Sequence, residues 1–204
     1  MSRHRIATRR NAQPARGAGS RVLRIIGGVW RGRKLRFLAG ADIRPTPDRV
    51  RETLFNWLGA RVVGARCLDL FAGSGALGLE ALSRGAAHVT FVEQDAVAAR
   101  ELRARLADWG AQDATVARAD ARRFLAHQAQ PYDVVFLDPP FTSGLLDIAA
   151  QSLERDGWLT PGALIYVETA AREGPPPLPP GWVPLKGKRA GEVGYHLYAR
   201  QPAL

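Results

Sequence analysis

The residues best suited to chemistry form one tetrapeptide, Asp138-Pro139-Pro140-Phe141, directly after the apolar run Val134–Leu137. That run predicts a buried strand, and in open α/β sheets ligands bind beyond the carboxyl ends of such strands. An exocyclic amine on a nucleobase is a poor nucleophile, because its lone pair is delocalised into the ring. The Asp138 carboxylate and the Pro139 carbonyl can accept the two N–H bonds of such an amine and favour its pyramidalisation. Pro139 and Pro140 restrict the backbone, so the carbonyl is held in place beforehand. Phe141 offers a ring on which a base swung out of its helix can stack. A plain proline turn would account for the two prolines but not for Asp and Phe beside them.

A second constellation is Asp69-Leu70-Phe71-Ala72-Gly73-Ser74-Gly75. It ends one predicted strand and opens a helix, and its glycines let the backbone approach a ligand closely. Gly73, Gly75 and Gly78 spell G-x-G-x-x-G, which fits a dinucleotide as well as any nucleoside cofactor. Asp69 shifts the balance, because a carboxylate there suits the cationic methionine end of S-adenosylmethionine better than a pyrophosphate. The alternative is a glycine turn serving only tight helix–strand packing. Glu93 closes the next strand, 20 residues after Gly73, where an acid can accept hydrogen bonds from ribose hydroxyls. Asp120, after the third strand, is placed either to meet an adenine amine or to cap the helix that follows.

These residues need a scaffold, and the pattern from Ala65 onward supplies one. Strands are predicted near Cys67–Phe71, His88–Glu93, Thr115–Ala119, Val134–Leu137 and Leu164–Glu168. Helices are predicted near Ala76–Ser83, Ala96–Trp109, Ala121–Ala126 and Leu145–Leu153, with Gly85 and Gly110 at helix C-terminal caps. The alternation implies a parallel sheet covered by helices on both faces. Leu185–Arg189 and Gly194–Tyr198 read as a final hairpin at one sheet edge, after a proline-rich surface loop over 174–184. Upstream, Val22–Ile26 and Arg33–Leu38 flank Gly27, Gly28 and Gly32 and read as a β-hairpin with basic side chains on an exposed face. Thr46 is placed to cap a helix whose first turn takes Pro47 and whose apolar stripe is Val50, Leu54, Phe55, Trp57 and Leu58.

Hydrophobic residues at 46% and charged residues at 24% describe a globular chain, and 204 residues suit one domain with a tail. The formal charge of +10 is unevenly spread: residues 1–41 hold ten arginines, Lys34 and no acid, whereas the rest is close to neutral. A basic arm on a neutral body points to a polyanion, the rival being a tail that serves solubility or targeting. The division expected is a disordered basic arm over 1–20, a basic hairpin extension over 21–43 and a catalytic domain over 44–204. Cys67 sits in an apolar run and reads as buried, the four histidines lack metal-ligand spacing, and no metal site is expected. No stretch approaches the roughly 18 apolar residues of a membrane helix, so a cytoplasmic protein is expected.

In order, DLFAGSG (69–75), VEQD (92–95) and LDPPF (137–141) resemble a class I methyltransferase of the amino-methylating kind. RIIGGVWRGRKL (24–35) and RPTPDRVRETLFNWL (44–58) closely resemble the bacterial small-subunit methyltransferase D family, and the similarity runs from residue 22 to about 200. The resemblance implies a Rossmann-like, mostly parallel seven-stranded sheet, with one antiparallel strand near an edge and the N-terminal hairpin added to it. It implies transfer of a methyl group from S-adenosylmethionine to N2 of a guanine in the 16S ribosomal RNA of the small subunit, position 966 in customary RNA numbering; a monomer is expected. The catalytic set would be Asp138, Pro139, Pro140 and Phe141. The cofactor would meet Asp69, Phe71, Gly73, Ser74, Gly75, Glu93, Gln94, Asp120 and Ala121, with Arg44, Pro45 and Thr46 bordering its pocket. RNA would meet Arg24, Arg31, Arg33, Lys34 and Arg36. The Asp-Pro-Pro-aromatic signature by itself also fits an N6-adenine enzyme acting on DNA or RNA. An NAD-binding oxidoreductase and a non-catalytic RNA-binding factor are the remaining rivals.

Overall fold

The computed structural model describes residues 20–38, 46–141, 143–174 and 176–201. The predicted disordered arm lies outside them except for Ser20, as do Arg44 and Pro45. The chain opens with an antiparallel hairpin, β1 (Ser20–Arg24) and β2 (Lys34–Leu38). Helix α1 (Asp48–Leu58) follows, and then β3 (Arg66–Asp69), α2 (Ala76–Ser83), β4 (His88–Glu93), α3 (Ala96–Asp108), β5 (Ala114–Arg118), α4 (Ala121–Leu125), β6 (Tyr132–Leu137) and α5 (Leu145–Arg155). Three strands complete it: β7 (Leu159–Ala170), β8 (Trp182–Ala190) and β9 (Val193–Arg200).

Seven strands form one sheet in the order β5-β4-β3-β6-β7-β9-β8. The pairs from β5 to β7 are parallel, and β9 runs antiparallel to both β7 and β8, which is the mixed edge the resemblance implies. Successive residues of a strand face opposite sides, and β6 shows this directly. Val134 and Phe136 join the core under α1, α2 and α3, while Val135 and Leu137 join the core under α4 and α5. The strand order reverses between β3 and β6, so the loops after these neighbouring strands diverge and leave a crevice at their carboxyl ends.

The hairpin packs into the first of these cores through Leu23, Ile25, Leu35 and Phe37. It is also tied by polar contacts to the end of α2. The buried Glu80 carboxylate accepts hydrogen bonds from the Ile26 and Gly27 amides at 2.9 and 2.8 Å and pairs with Arg51 and Arg84. Ser83 Oγ donates to the Gly27 carbonyl and accepts from the Trp30 amide, and the Ser83 carbonyl accepts from Val29. Gly28, at φ +74°, lies so close that a Cβ would fall 1.7 Å from the Ser83 carbonyl oxygen. Only glycine fits there.

Two local expectations change. Pro47 rather than Thr46 occupies the N-cap of α1, and no side chain caps that end; the Thr46 hydroxyl is engaged elsewhere, as described below. The loop expected over 174–184 ends early, because Trp182 is buried and begins β8. Pro184 is tolerated there since β8 is the outermost strand and its pairing register shifts between Pro184 and Lys186. Gly85 and Gly110 do take left-handed conformations, φ +93° and +67°, just past α2 and α3.

Candidate functional site

The turn after β3 is shaped by its glycines and held by acids. Gly73 and Gly75 have φ of +50° and +76°, and the Gly75 amide donates to the Ala72 carbonyl at 2.6 Å. A Cβ on Gly78 would fall 2.2 Å from the Phe91 ring, so the third glycine of the fingerprint brings α2 against β4. Asp69 is buried at the end of β3 and accepts from the Gly78 amide at 3.0 Å. Glu93, at the end of β4, accepts from the Gly73 amide through one oxygen and from the Asp95 amide through the other, each at 2.7 Å. Each carboxylate oxygen has two lone pairs, so Glu93 can brace the turn and still accept from a hydroxyl.

One strand over, β6 delivers Asp138 and β7 delivers Glu168. The last paired residues, Leu137 and Val167, place these two acids side by side. Thr46, from the segment entering α1, bridges them: its hydroxyl lies 3.3 Å from Asp138 Oδ2 and 3.0 Å from Glu168 Oε1. Tyr166 donates to the same Glu168 oxygen at 2.8 Å. A hydroxyl has one proton to give, so two fully ionised carboxylates on Thr46 would leave one contact repulsive. The shorter bond and the Tyr166 hydroxyl favour the charge on Glu168 and a proton on Asp138.

The electrostatics agree. Burial, then the charges of Glu168 and Asp69, push the Asp138 carboxyl well above the ordinary carboxylate range against the Thr46 hydroxyl. Burial lifts Asp69 to about 7, with Glu93 adding to it and the Gly78 amide opposing. Burial lifts Glu168 to about 6 in spite of the Tyr166 and Thr46 hydroxyls. The crevice is therefore crowded with acids that resist ionisation. Such a site suits a cationic guest and opposes a pyrophosphate.

Beside Asp138 a cleft of about 220 Å³ is lined by Pro139, Pro140, Phe141, Glu168, Pro176 and neighbouring residues. Phe141 is 41% exposed at its rim, as a stacking platform requires. Asp120 caps α4 by accepting from the Arg122 amide, and the Arg122 guanidinium holds its carboxyl below the usual range. Ala121 is the buried first residue of that helix, while Phe71 and Ser74 are partly buried and Gln94 is exposed at the same end of the sheet. Thr46 lies with Asp138 and Glu168. Glu168 and Tyr166 were not singled out in the sequence, since their connection to Asp138 runs between separate strands and through Thr46.

Arg24, Arg31, Arg33, Lys34 and Arg36 are all exposed on the hairpin. Arg24 and Lys34 stand directly opposite each other across β1 and β2, a like-charge pairing that costs stability unless an anion covers it. Arg33 also lies over the Trp109 ring at 5.2 Å. Cys67 is buried and its thiol is pushed up to about 12, which leaves it inert. Among the described residues no cluster of His, Cys, Asp and Glu could hold a metal ion, and no helix is long and apolar enough to cross a membrane.

Comparison with known proteins places this arrangement. The family described as Conserved hypothetical protein 95 matches residues 23–199. The ribosomal RNA small subunit methyltransferase D of Escherichia coli strain K12 is 51% identical over 184 residues, covering 90% of this chain and 93% of that protein. A solved Escherichia coli structure described as a methyltransferase is 50% identical with a TM-score of 0.82, covering 88% of this chain and 98% of that one. An RNA methyltransferase from Salinibacter ruber, solved with S-adenosyl-L-homocysteine, has a TM-score of 0.61 at 17% identity over 79% of this chain and 96% of that one, a likeness of fold alone.

Proposed function

Because this chain belongs to the ribosomal RNA small subunit methyltransferase D family, we propose that it methylates N2 of a guanine in 16S ribosomal RNA, at position 966 in customary numbering. S-adenosylmethionine supplies the methyl group on a sulfonium, a cationic centre suited to a crevice lined by acids. The observation that carries the reading is the adjacency of two half-sites: the acid-braced glycine turn after β3, and Asp138-Pro139-Pro140-Phe141 after β6, its immediate neighbour in the sheet. Asp69, Phe71, Gly73, Ser74, Gly75, Glu93 and Gln94 would hold the cofactor, Asp69 facing its ammonium end and Glu93 its ribose. Asp120 and Ala121 would bound the adenine, and Arg44, Pro45 and Thr46 would border the pocket.

The chain's own residues act on the base. Phe141 stacks on the flipped guanine, and the Pro139 carbonyl and Asp138 accept the two amine N–H bonds, turning the nitrogen lone pair toward the methyl carbon. Bound S-adenosylmethionine would give up its methyl group to that nitrogen and leave as S-adenosylhomocysteine, while the amine proton would pass to Asp138 or through it to solvent. Positioning both reactants in adjacent pockets lowers the barrier by sparing entropy. The hairpin's Arg24, Arg31, Arg33, Lys34 and Arg36 would hold the rRNA of the small subunit, and the protein would work in the cytoplasm as a monomer.

The test is transfer of labelled methyl groups from S-adenosylmethionine to small ribosomal particles lacking the mark, run beside duplex DNA, with mass-spectrometric mapping of the product. Label on an rRNA guanine amine supports the reading, and label confined to adenine in either nucleic acid ends it. An NAD enzyme would instead be stabilised thermally by NAD and not by S-adenosylhomocysteine.

A further inference from the structure

We infer that Glu168 selects the base: its carboxylate accepts the ring N–H beside the guanine amine while Asp138 and the Pro139 carbonyl hold the amine itself. The inference rests on the cleft next to Asp138–Phe141 being the base pocket. Glu168 lines that cleft together with Pro139, Pro140 and Phe141. It stands one strand from Asp138, in register, and the Thr46 hydroxyl bridges the two. Strands in a sheet lie about 4.8 Å apart, so two acceptors on neighbouring strands can meet two donors on one edge of a base.

Three bases carry an exocyclic amine, and their neighbouring ring atoms differ. Guanine N2 sits beside N1–H, a donor. Adenine N6 sits beside the N1 lone pair, and cytosine N4 beside the N3 lone pair. A carboxylate has only acceptors, so Glu168 completes a hydrogen bond with guanine and faces a lone pair in either rival. A site built around a hydrogen bond rejects a partner lacking it strongly, because its own polar group is left unpaired. Asp138-Pro139-Pro140-Phe141 recognises an amine in general; Glu168 adds the second contact that tells which amine. Its orientation is set from behind, since Tyr166 and Thr46 both bond to Oε1.

The test uses small ribosomal particles reconstituted with 16S rRNA carrying either guanine or 2-aminopurine at the target nucleotide. 2-Aminopurine keeps the 2-amine but has a lone pair at N1. The unaltered protein should methylate it on the order of 10²-fold less efficiently in kcat/KM than guanine. In Glu168→Gln the hydroxyls of Tyr166 and Thr46 keep the amide oxygen, and the NH₂ turns toward the cleft, where it donates to that lone pair. Guanine should then slow while 2-aminopurine gains, shifting the preference at least tenfold. Equal methylation of both bases by the unaltered protein would overturn the inference without needing any variant. So would a Glu168→Gln protein that still binds S-adenosylhomocysteine but slows both bases by one factor. Absence of methyl transfer to the guanine particle itself would overturn the proposed function instead.

Discussion

At the scale of single residues, the acids of the crevice carry most of the expected behaviour. Asp138→Ala should lower turnover by on the order of 10²-fold or more, the range of a positioned acid–base group; near-unchanged turnover would remove Asp138 from the mechanism. In the proposed step Asp138 takes the amine proton, which requires its carboxylate form. Because Asp138 and Glu168 titrate above ordinary carboxylates, kcat should rise with pH along an acid limb near or above about 6, which a pH–rate profile reads directly. Asp69 gives a stability prediction. Its folded pKa is raised, so between about 4 and about 7 the folded protein binds the proton more tightly than the unfolded chain, and stability falls as pH climbs through that window. Asp69→Asn removes the penalty, roughly 2–4 kcal/mol at pH 8. Its melting temperature should rise at pH 8 but scarcely at pH 4, and stabilisation by S-adenosylhomocysteine should be lost. A variant no more stable at pH 8 would show that Asp69 is not strained by burial.

At the scale of elements, the contact between the hairpin and α2 is the joint to test. Glu80→Ala takes from the buried Arg51 guanidinium one of its two carboxylates, leaving it Asp48, and strips two backbone amides of their acceptor. Each amide left without an acceptor costs about 1–3 kcal/mol, roughly 10 °C in all for a domain of this size, and trypsin should gain new cuts at Arg31 and Arg33. An unchanged melting temperature would mean that the apolar face of the hairpin holds it alone. The elements themselves were legible because their signals are local: an apolar run before DPPF, glycines spaced for a turn, glycines past α2 and α3. What could not be read joins distant positions. Thr46 looks like a helix cap by its neighbours, yet its hydroxyl reaches residues 92 and 122 positions away. The prolines before Trp182 look like loop, and only the place of β8 at the sheet edge lets Pro184 remain in a strand.

At the scale of the whole molecule, charge is segregated. The first 41 residues carry only basic charges and the body is nearly neutral, so affinity for RNA should come largely from one end. Deleting residues 1–19 should weaken rRNA binding and flatten its salt dependence, by about 0.7–0.9 log units for every phosphate the shortened protein leaves unneutralised. Affinity for S-adenosylmethionine should stay within about twofold. Equal loss of both would assign the segment to the body of the protein. The joint at α2 also governs the order of assembly. The amides of Ile26, Gly27 and Trp30 find their partners 53 to 54 residues later in the chain. During synthesis, then, the basic end leaves the ribosome first but cannot seat until Glu80 and Ser83 have followed it. A nascent chain halted short of Leu79 would expose Leu23, Ile25, Leu35 and Phe37, so the hairpin stays open to chaperones and proteases until α2 has been made.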